Sequence, residues 1–333
     1  MASHSYVDRK TGGLRNEELY GDLFLRFLYS ETREHAPSLF RVLTGPRISE
    51  LVACLHFDLP LSSRVLGSRF VRSHLIDLEE CVDPHQSLNT ARSLFERKIK
   101  YWQCRPMLND PALVVSPSDS KIVVGSFQSS SLIFLKEKFF DFDELLGSDK
   151  RQWLETFRDG DFAIFRLTPE KYHYNHTPIA GLVVDIYEIP GRYHSCNPGA
   201  VVKSVTPFSK NKRSVTIFDT DVQGGTYVGY VAMVEIVALG IGDIVQLYSE
   251  KEYRSPSPVK PGMFLKKGVP KSLFRPGSST NVLIFQKGRI QILDEIIRNM
   301  SRDRTRSQYS VGFGKPLMET DIQVRTPIAR RSD

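Results

Sequence analysis

The first hundred residues carry a hydrophobic pattern that is typical of helices. Leu23, Phe24, Phe27 and Leu28 fall on one face of a 3.6-residue period. Further helical patterns cover residues 62–78 and 87–100. The apolar face near Phe24 has two interpretations, a stripe that packs into the core and a surface that rests on a bilayer. These patterns predict a helical N-terminal layer from about residue 15 to residue 100.

From residue 111 onward the pattern changes to short apolar runs that are typical of β-strands. Gly and Pro residues separate these runs, and helical patterns return at 139–146 and 290–300. The sequence therefore predicts an α+β fold, with a helical N-terminal region over 1–105 and a β-rich body over 106–333. The predicted strands are 113–115, 121–124, 132–135, 162–167, 182–189, 214–218, 228–239 and 282–285.

Composition narrows the class of protein. With 333 residues, 41% of them hydrophobic, the chain can bury a core in one large domain or two small ones. Its four cysteines are widely spaced, which argues against zinc and disulfide frameworks and favours a reducing compartment. The most apolar stretch, 228–245, contains Glu235 and Asp243 and predicts paired strands. Because the N-terminal segment is polar and no span is predicted, we expect a cytoplasmic protein that can touch membranes peripherally.

The net charge of +7 and the pI near 9.1 fit either ordinary surface charge or a surface that meets an anionic partner. Anionic lipid, an acidic substrate and nucleic acid all fit such a charge. The basic residues are scattered, however, and no helix-turn-helix, zinc-finger or ribonucleoprotein pattern appears. Nucleic acid is therefore not a predicted partner.

Two segments carry residues that are suited to nucleophilic chemistry. One covers residues 172–178 and contains His173 and His176, and the other is the Gly-Ser-Ser-Thr turn at 277–280. A serine hydroxyl is a poor nucleophile until a base takes its proton, and a histidine has the pKa to do so near neutral pH. A carboxylate such as Asp119 can fix the histidine tautomer and stabilise the imidazolium. Together these residues predict a serine with its own base.

The turn itself favours an exposed and strained peptide bond. Gly277 permits backbone angles that a side chain would forbid, and Pro276 holds the preceding segment extended. Each motif alone is also typical of an ordinary turn, a helix cap or a structural histidine. His173 and His176 could in principle ligate a metal, but no third ligand lies near them in sequence, so no metal is predicted.

Landmarks along nearly the whole chain match those of a known family in the same order. They are 25–29, 94–100, Arg105-Pro106, Ser116-Pro117-Ser118-Asp119, 135–147, the Tyr-His-x-x-His-x-Pro-x-x-Gly pattern of 172–181, Asn197-Pro198, 211–213, 238–242, Lys267-Gly268, Phe274, 277–285 and Glu319-Thr320. In these segments the chain resembles the phosphatidylserine decarboxylase family, as a divergent, fungal-type member. The double-histidine pattern and the 277–285 region are the most specific of the matches.

The resemblance implies a proenzyme that cuts its own backbone and turns the exposed serine into a pyruvoyl cofactor. The products would be a β chain of residues 1–278 and an α chain of residues 279–333. In maturation, His176 would deprotonate the serine, with Asp119 behind it. In turnover, a substrate amine would form a Schiff base with the pyruvoyl group, and His173 would protonate the carbanion left after carbon dioxide departs.

The position of the nucleophile depends on the alignment register. Alignment on Phe285 places Ser279 at the pyruvoyl position, whereas alignment on the Gly-Ser bond makes Ser278 the nucleophile. Ser279 is favoured because Gly268 and Gly277 then share one register without gaps. The cleavage turn consists of Gly277, Ser278 and Thr280 around this serine.

The chain also departs from the family pattern beside the predicted centre. Ser120 stands where the family has glycine after the motif aspartate. Pro270 replaces an acidic residue, and Lys271 and Ser272 replace a leucine and a glycine. These departures lie next to the predicted reaction centre and keep other functions open.

The leading prediction is decarboxylation of phosphatidylserine to phosphatidylethanolamine, with a homodimer as the expected assembly. One alternative is decarboxylation of a free amino acid such as tryptophan in specialised metabolism. A second alternative is an unprocessed relative that binds lipid or a partner without catalysis. A self-cleaving serine hydrolase is disfavoured, because no Gly-x-Ser-x-Gly elbow surrounds Ser278 or Ser279.

Overall fold

Short apolar runs of the chain pair into sheets that form the framework of the fold. The computed structural model describes residues 3–19, 76–128, 139–203, 206–238, 243–277, 279–302 and 307–332. Its strands are β1 (Ser3–Asp8), β2 (Leu14–Glu18), β3 (Leu113–Val115), β4 (Ser120–Ser126), β5 (Asp161–Leu167), β6 (Tyr174–His176), β7 (Gly181–Ile189), β8 (Arg213–Asp219), β9 (Tyr230–Val237), β10 (Ile244–Gln246), β11 (Phe264–Leu265), β12 (Pro270–Phe274), β13 (Ser279–Phe285), β14 (Ile290–Ile292), β15 (Glu319–Ile322) and β16 (Pro327–Arg331).

The helices in these ranges are short. They are the 3-10 turns Leu78–Glu80 and His85–Ser87 and the α-helices α1 (Ala91–Phe95), α2 (Tyr101–Cys104), α3 (Phe142–Leu146), α4 (Arg151–Thr156), α5 (Pro198–Lys203), α6 (Pro207–Lys210), α7 (Asp294–Met300) and α8 (Gln308–Phe313). Helix α1 begins at a capping box, in which the Thr90 and Ser93 side chains each accept a hydrogen bond from the other residue's backbone N–H. This cap fixes the helix that delivers Phe95 to the candidate site.

Strand β13 lies near the middle of a ten-stranded sheet with the order β11-β7-β8-β9-β13-β5-β4-β15-β1-β2. It pairs antiparallel with β5 and β9 along all seven of its residues, and every one of them is buried. The apolar run 282–285 has no polar residue because both faces of the strand are covered. Each such buried side chain contributes about 1.5–3 kcal/mol, so this strand is firmly anchored.

Two three-stranded sheets, β10-β12-β6 and β14-β16-β3, complete the framework. In the first, β12 pairs antiparallel with β6, so that Pro270 lies opposite His176. Pro270 has no N–H to donate, and the register shifts by a bulge between it and Ser272. The bulge allows Lys271 and Ser272, although adjacent, to reach the same carboxylate on β9.

The predicted α+β class is confirmed, and most of the predicted strands in the β-rich body are present. The run 113–115 forms β3 as predicted, and 182–189 and 214–218 lie within β7 and β8. The helical stripe at 23–28 and the strand 132–135 lie outside the described residues, as does most of the helix 62–78. The division of the chain at 105 and 106 stays a prediction.

Four local expectations were wrong. The predicted helix 87–100 contains only α1 (Ala91–Phe95), because Ile99 forms a β-bridge with Cys81. Residues 15–18 belong to β2 rather than to a helix, because they pair with β1. Residues 290–292 pair with β16 as β14, so the helix begins only at Asp294. The stretch 228–245 does not form one pair of strands, since β9 joins the large sheet and β10 pairs with β12. In each case pairing with a distant segment decided the local structure.

Candidate active site

His176 is the last residue of β6 and is fully buried. Its Nδ1 lies 3.0 Å from the carbonyl oxygen of Gly268, and its Nε2 lies 2.9 Å from the hydroxyl of Tyr172. A carbonyl oxygen only accepts, so Nδ1 carries the ring proton and donates it to Gly268. In the neutral ring Nε2 is therefore an acceptor, which receives the Tyr172 O–H.

The surroundings of His176 keep the ring neutral. The Tyr101 ring meets it edge-on with ring centroids 4.8 Å apart. Burial lowers the pKa of His176 to about 3, although the hydrogen bond to Gly268 and the charge of Asp119 oppose this. The ring therefore stays neutral over the whole physiological pH range, with its Nε2 engaged by the Tyr172 hydroxyl.

His173 directly precedes Tyr174 in the sequence, and only one of its two ring nitrogens has a hydrogen-bond partner among the described residues. Its ring stacks on Phe95 with centroids 3.5 Å apart, and its Nδ1 donates to the carbonyl of Lys171 at 2.8 Å. Its Nε2 is buried and has no hydrogen-bond partner among the described residues. Burial is the main reason that the pKa of His173 lies well below its usual range, and the nearby Arg97 guanidinium lowers it further. The neutral ring therefore has an unprotonated Nε2 that no described residue engages.

Asp119 is paired with an arginine. The Arg105 guanidinium donates to both carboxylate oxygens of Asp119, at 2.8 to 3.2 Å, and the Val324 N–H donates at 2.8 Å. Burial alone would raise the pKa of Asp119, but Arg105 holds it below the usual 3.8. Since Gly268 and Tyr172 engage the nitrogens of His176, no direct hydrogen bond joins Asp119 to that ring. The predicted serine–histidine–aspartate chain is therefore not closed in the uncut polypeptide.

Ser279 is the first residue of β13 and pairs with Leu167 on β5 and Val237 on β9. Its hydroxyl is buried and has no partner among the described residues. Gly277, two residues earlier, has a φ of 148°, which favours glycine. Thr280 points to the opposite face, where its buried hydroxyl has no hydrogen-bond partner among the described residues. Ser278 lies outside the described residues.

One amide side chain joins the three predicted segments. Asn281 lies two residues after Ser279 and therefore on the same face of β13. Its Nδ2 donates to Asn175 Oδ1 at 2.9 Å and to Ser118 Oγ at 3.2 Å. Asn175 lies between the two histidines, and Ser118 precedes Asp119. The double-histidine strand, the aspartate segment and the serine strand are thus held together at one point.

A buried ion pair fixes the direction of this amide network. Glu235 on β9 accepts from Lys271 Nζ at 2.7 Å, and both side chains have no exposed surface. Its other oxygen accepts from the Ser272 hydroxyl and from Asn175 Nδ2. Because a carboxylate only accepts, Asn175 must turn its Oδ1 towards Asn281. The Oδ1 of Asn281 is left without a partner among the described residues.

Sequence reasoning missed the residues of this network. Glu235 was read as a charge within an apolar stretch, and Lys271 only as a departure from a family pattern. Asn281 carried the one available signal, a single amide that interrupts the apolar run after the cleavage turn. A polar residue within a strand that is buried on both faces must find a buried partner.

Among the residues that the structure describes, His4, Glu17 and Glu319 are the one group with metal-ligand geometry, their ligand atoms lying within 4.8 Å of one another. Arg166 pairs with both glutamates, and Lys121 pairs with Glu17 at 3.1 Å. These two cations already neutralise the two carboxylates, so the cluster acts as an ion network rather than a metal centre. It ties β1 and β2 to β15.

The fold and the site define an α+β protein in which the strand that carries two buried histidines is hydrogen-bonded to a central strand through Asn175 and Asn281. The family model described as phosphatidylserine decarboxylase matches residues 91–313, well over half of the chain. The chain therefore belongs to the phosphatidylserine decarboxylase family.

Curated relatives match over most of their own length. A phosphatidylserine decarboxylase proenzyme of Chlamydia trachomatis is 32% identical over 288 residues, which cover 86% of this chain and 88% of the relative. Those of Clostridium tetani and Fusobacterium nucleatum are each 29% identical, over 293 and 318 residues. These two matches cover 88% and 93% of this chain, and 91% and 96% of the relatives. The family resemblance is thus confirmed, while its fungal-type label stays a prediction.

Among the described helices, none is both long enough and apolar enough to cross a bilayer.

Proposed function

We propose that the chain is a phosphatidylserine decarboxylase proenzyme that cuts its own backbone before Ser279 and forms a pyruvoyl group there. The family match and three relatives named as proenzymes support this proposal. The observation that carries it is the Asn281 amide, which joins the segments of Ser118 and Asn175 to the strand that begins at Ser279.

Maturation requires an oxygen nucleophile and a base. Ser279 Oγ attacks the carbonyl carbon of the preceding residue, an ester bond forms, and the peptide C–N bond breaks. Elimination of the ester releases the upstream chain as a carboxylate, and hydrolysis of the remaining residue yields the pyruvoyl group and ammonia. His176 serves as the base because it stays neutral, and Asp119 assists through its charge, which raises the proton affinity of His176 against the effect of burial.

In turnover, a pyruvoyl group supplies the electron sink that allows carbon dioxide to leave a substrate amine. His173 fits the task of moving one proton. Its Nδ1–H is fixed by Lys171, and its bare Nε2 can take up a proton and return it to the substrate carbon. Phe95 covers one face of its ring and excludes water from that side.

Phosphatidylserine is the proposed substrate, since three relatives are named as phosphatidylserine decarboxylase proenzymes. A free amino acid remains the alternative, as does an unprocessed binding protein, which the exchanged residues Ser278 and Pro270 motivate. A homodimer in the cytoplasm with peripheral membrane contact is part of the proposal.

Intact mass of the purified chain tests self-cleavage. We expect fragments 1–278 and 279–333, the smaller one blocked to Edman chemistry. Ser279→Ala should stay whole, and the neighbouring control Ser278→Ala should still split. If only Ser278→Ala prevents the split, the nucleophile is Ser278. A wild-type chain that stays whole would support the unprocessed relative.

Two further measurements test the residue roles and the substrate. His176→Ala and Asp119→Ala should both stay whole, whereas His173→Ala should split and then fail to decarboxylate. The mature protein should release carbon dioxide from vesicles that contain labelled phosphatidylserine. Release from free tryptophan but not from lipid would replace the lipid substrate by an amino acid.

A further inference from the structure

A chain of two tyrosine hydroxyls leads away from His176. The Tyr172 hydroxyl lies 2.9 Å from His176 Nε2 and 2.6 Å from the hydroxyl of Tyr253. The Tyr253 oxygen in turn lies 3.2 Å from the backbone N–H of Ile99 and 2.9 Å from the carbonyl oxygen of the same residue. The chain thus ends at a backbone group that offers both a donor and an acceptor.

The neutral ring gives this chain one consistent direction. His176 Nε2 accepts from Tyr172, whose oxygen accepts from the Tyr253 O–H, and the Tyr253 oxygen accepts from the N–H of Ile99. Every hydroxyl donates once, as a tyrosine can. The carbonyl of Ile99 is not left unpaired in this state, because it also accepts from the Tyr101 N–H at 2.7 Å.

The protonated ring gives the reverse direction, with all groups still paired. Nε2–H donates to the Tyr172 oxygen, the Tyr172 O–H turns to Tyr253, and the Tyr253 O–H turns to the Ile99 carbonyl. Only hydroxyl rotations are needed, and no heavy atom has to move. Since a buried N–H without an acceptor is costly, this chain serves both protonation states of His176.

The loop that delivers Tyr253 is strained. Glu252, Tyr253 and Ser255 have φ values of 51°, 64° and 47°, in the left-handed region that non-glycine residues avoid. The Glu252 N–H donates to the Tyr101 hydroxyl at 3.2 Å, and the Tyr253 ring packs edge-on against Tyr101. Strain of this kind persists where the surrounding contacts impose one geometry, and here that geometry places one hydroxyl.

We propose that Tyr172, oriented by Tyr253, is a positioning residue that holds the neutral tautomer of His176 and accepts a hydrogen bond from Nε2–H when the ring becomes protonated during self-cleavage. The inference rests on the proposed function, in which His176 is the base. Gly268 holds Nδ1 and Tyr172 holds Nε2, so these two groups perform the orienting task that a directly bonded carboxylate would otherwise perform.

The rate of self-cleavage tests the proposal. Tyr172→Phe should slow the appearance of the 279–333 fragment about a hundredfold, within the range of acid–base assistance. Tyr253→Phe should slow it less, because Tyr172 keeps its own hydroxyl. The matched control is Tyr187→Phe, which removes a tyrosine hydroxyl that bonds the Leu146 carbonyl at 2.7 Å away from this chain, and it should cleave at the wild-type rate. Cleavage of Tyr172→Phe at the wild-type rate would overturn the proposal.

A spectroscopic readout separates this result from failure of the proposed function. In ¹⁵N-histidine-labelled Ser279→Ala protein, which remains uncut, Nδ1 of His176 should be protonated, and Nε2 should show a hydrogen-bonded, unprotonated signal. Adding Tyr172→Phe should shift the Nε2 signal and leave His173 unchanged. An unchanged Nε2 signal would refute the relation between Tyr172 and His176, whether or not the wild-type chain cleaves.

Discussion

At the scale of single residues, the site is governed by buried titratable groups, each with its own controlling neighbour. Burial keeps His173 and His176 neutral, whereas Arg105 keeps Asp119 charged in the same environment. Neutral bases and a charged acid can thus coexist in one interior because hydrogen bonds to Arg105 compensate only the carboxylate. Loss of that compensation should be easy to measure.

Arg105→Met should destabilise the fold by about 3–5 kcal/mol near neutral pH, because it leaves the buried Asp119 carboxylate without its cationic partner and also breaks the ion pair to the half-buried Glu80. Urea unfolding measures the change. The control Arg330→Met removes an exposed arginine, 4.0 Å from Asp110, and should cost about 0–1 kcal/mol. Equal losses for both variants would mean that burial of the Arg105 pair contributes nothing.

The same pair predicts a pH dependence. The folded-state pKa of Asp119 lies below 3.8, so the pair stabilises the fold fully above that pH and loses its contribution as the pH falls through the folded value. In Arg105→Met, burial should raise the pKa of Asp119 instead. The stability difference between wild type and variant should therefore shrink between about pH 7 and pH 3. A constant difference across this range would contradict the assignment.

At the scale of elements, the strands β6, β9, β12 and β13 meet through polar side chains rather than through apolar contacts alone. The bulge at Pro270 turns both Lys271 and Ser272 towards Glu235. Glu235 then fixes Asn175, which fixes Asn281. The position of the double-histidine strand relative to the serine strand therefore depends on one buried ion pair.

Lys271→Met should lower the free energy of unfolding by about 3–5 kcal/mol, because it leaves the buried Glu235 carboxylate without its cationic partner. Adding Glu235→Gln should restore part of the loss, since an amide can still accept from Ser272. The same substitution in an exposed pair, Lys266→Met opposite Glu250, should cost about 0–1 kcal/mol. Urea titration compares the three variants. If Lys271→Met lost less unfolding free energy than Lys266→Met, the buried ion pair would not stabilise the fold.

The sequence predicted those elements that depend on local pattern. The run 282–285 forms a strand because it is apolar throughout, and the double-histidine segment matched a specific motif. By contrast, Tyr253 reaches Tyr172 from a polar loop 81 residues further along, and no periodicity reveals such a contact. Arg105 was recognised as a landmark, but its bond to Asp119 depends on how two distant segments pack.

At the scale of the whole molecule, a cut before β13 would divide the sheets without removing any strand from them. The segment after the cut supplies β13, β14, β15 and β16. Of these, β13 keeps two antiparallel partners, and β15 lies between β1 and β4. Arg166 on β5 also pairs with Glu319 on β15. The two fragments should thus share one framework.

We therefore expect the 1–278 and 279–333 fragments to elute together in native gel filtration and to separate only in denaturant. The reason is that each β13 residue stays in ladders with β5 and β9. Elution of the small fragment on its own would show that the sheet does not survive the cut.

The central place of β13 in the sheet also bears on how many times one molecule can form its reaction centre. A pyruvoyl group formed at the first residue of that strand would be covalently part of the polypeptide, and β13 is paired on both of its edges. Dialysis should therefore not remove the group, and added pyruvate should not replace it. On the proposed mechanism, each molecule would have a single opportunity to mature, and a chain that failed at this step would stay inactive for its lifetime.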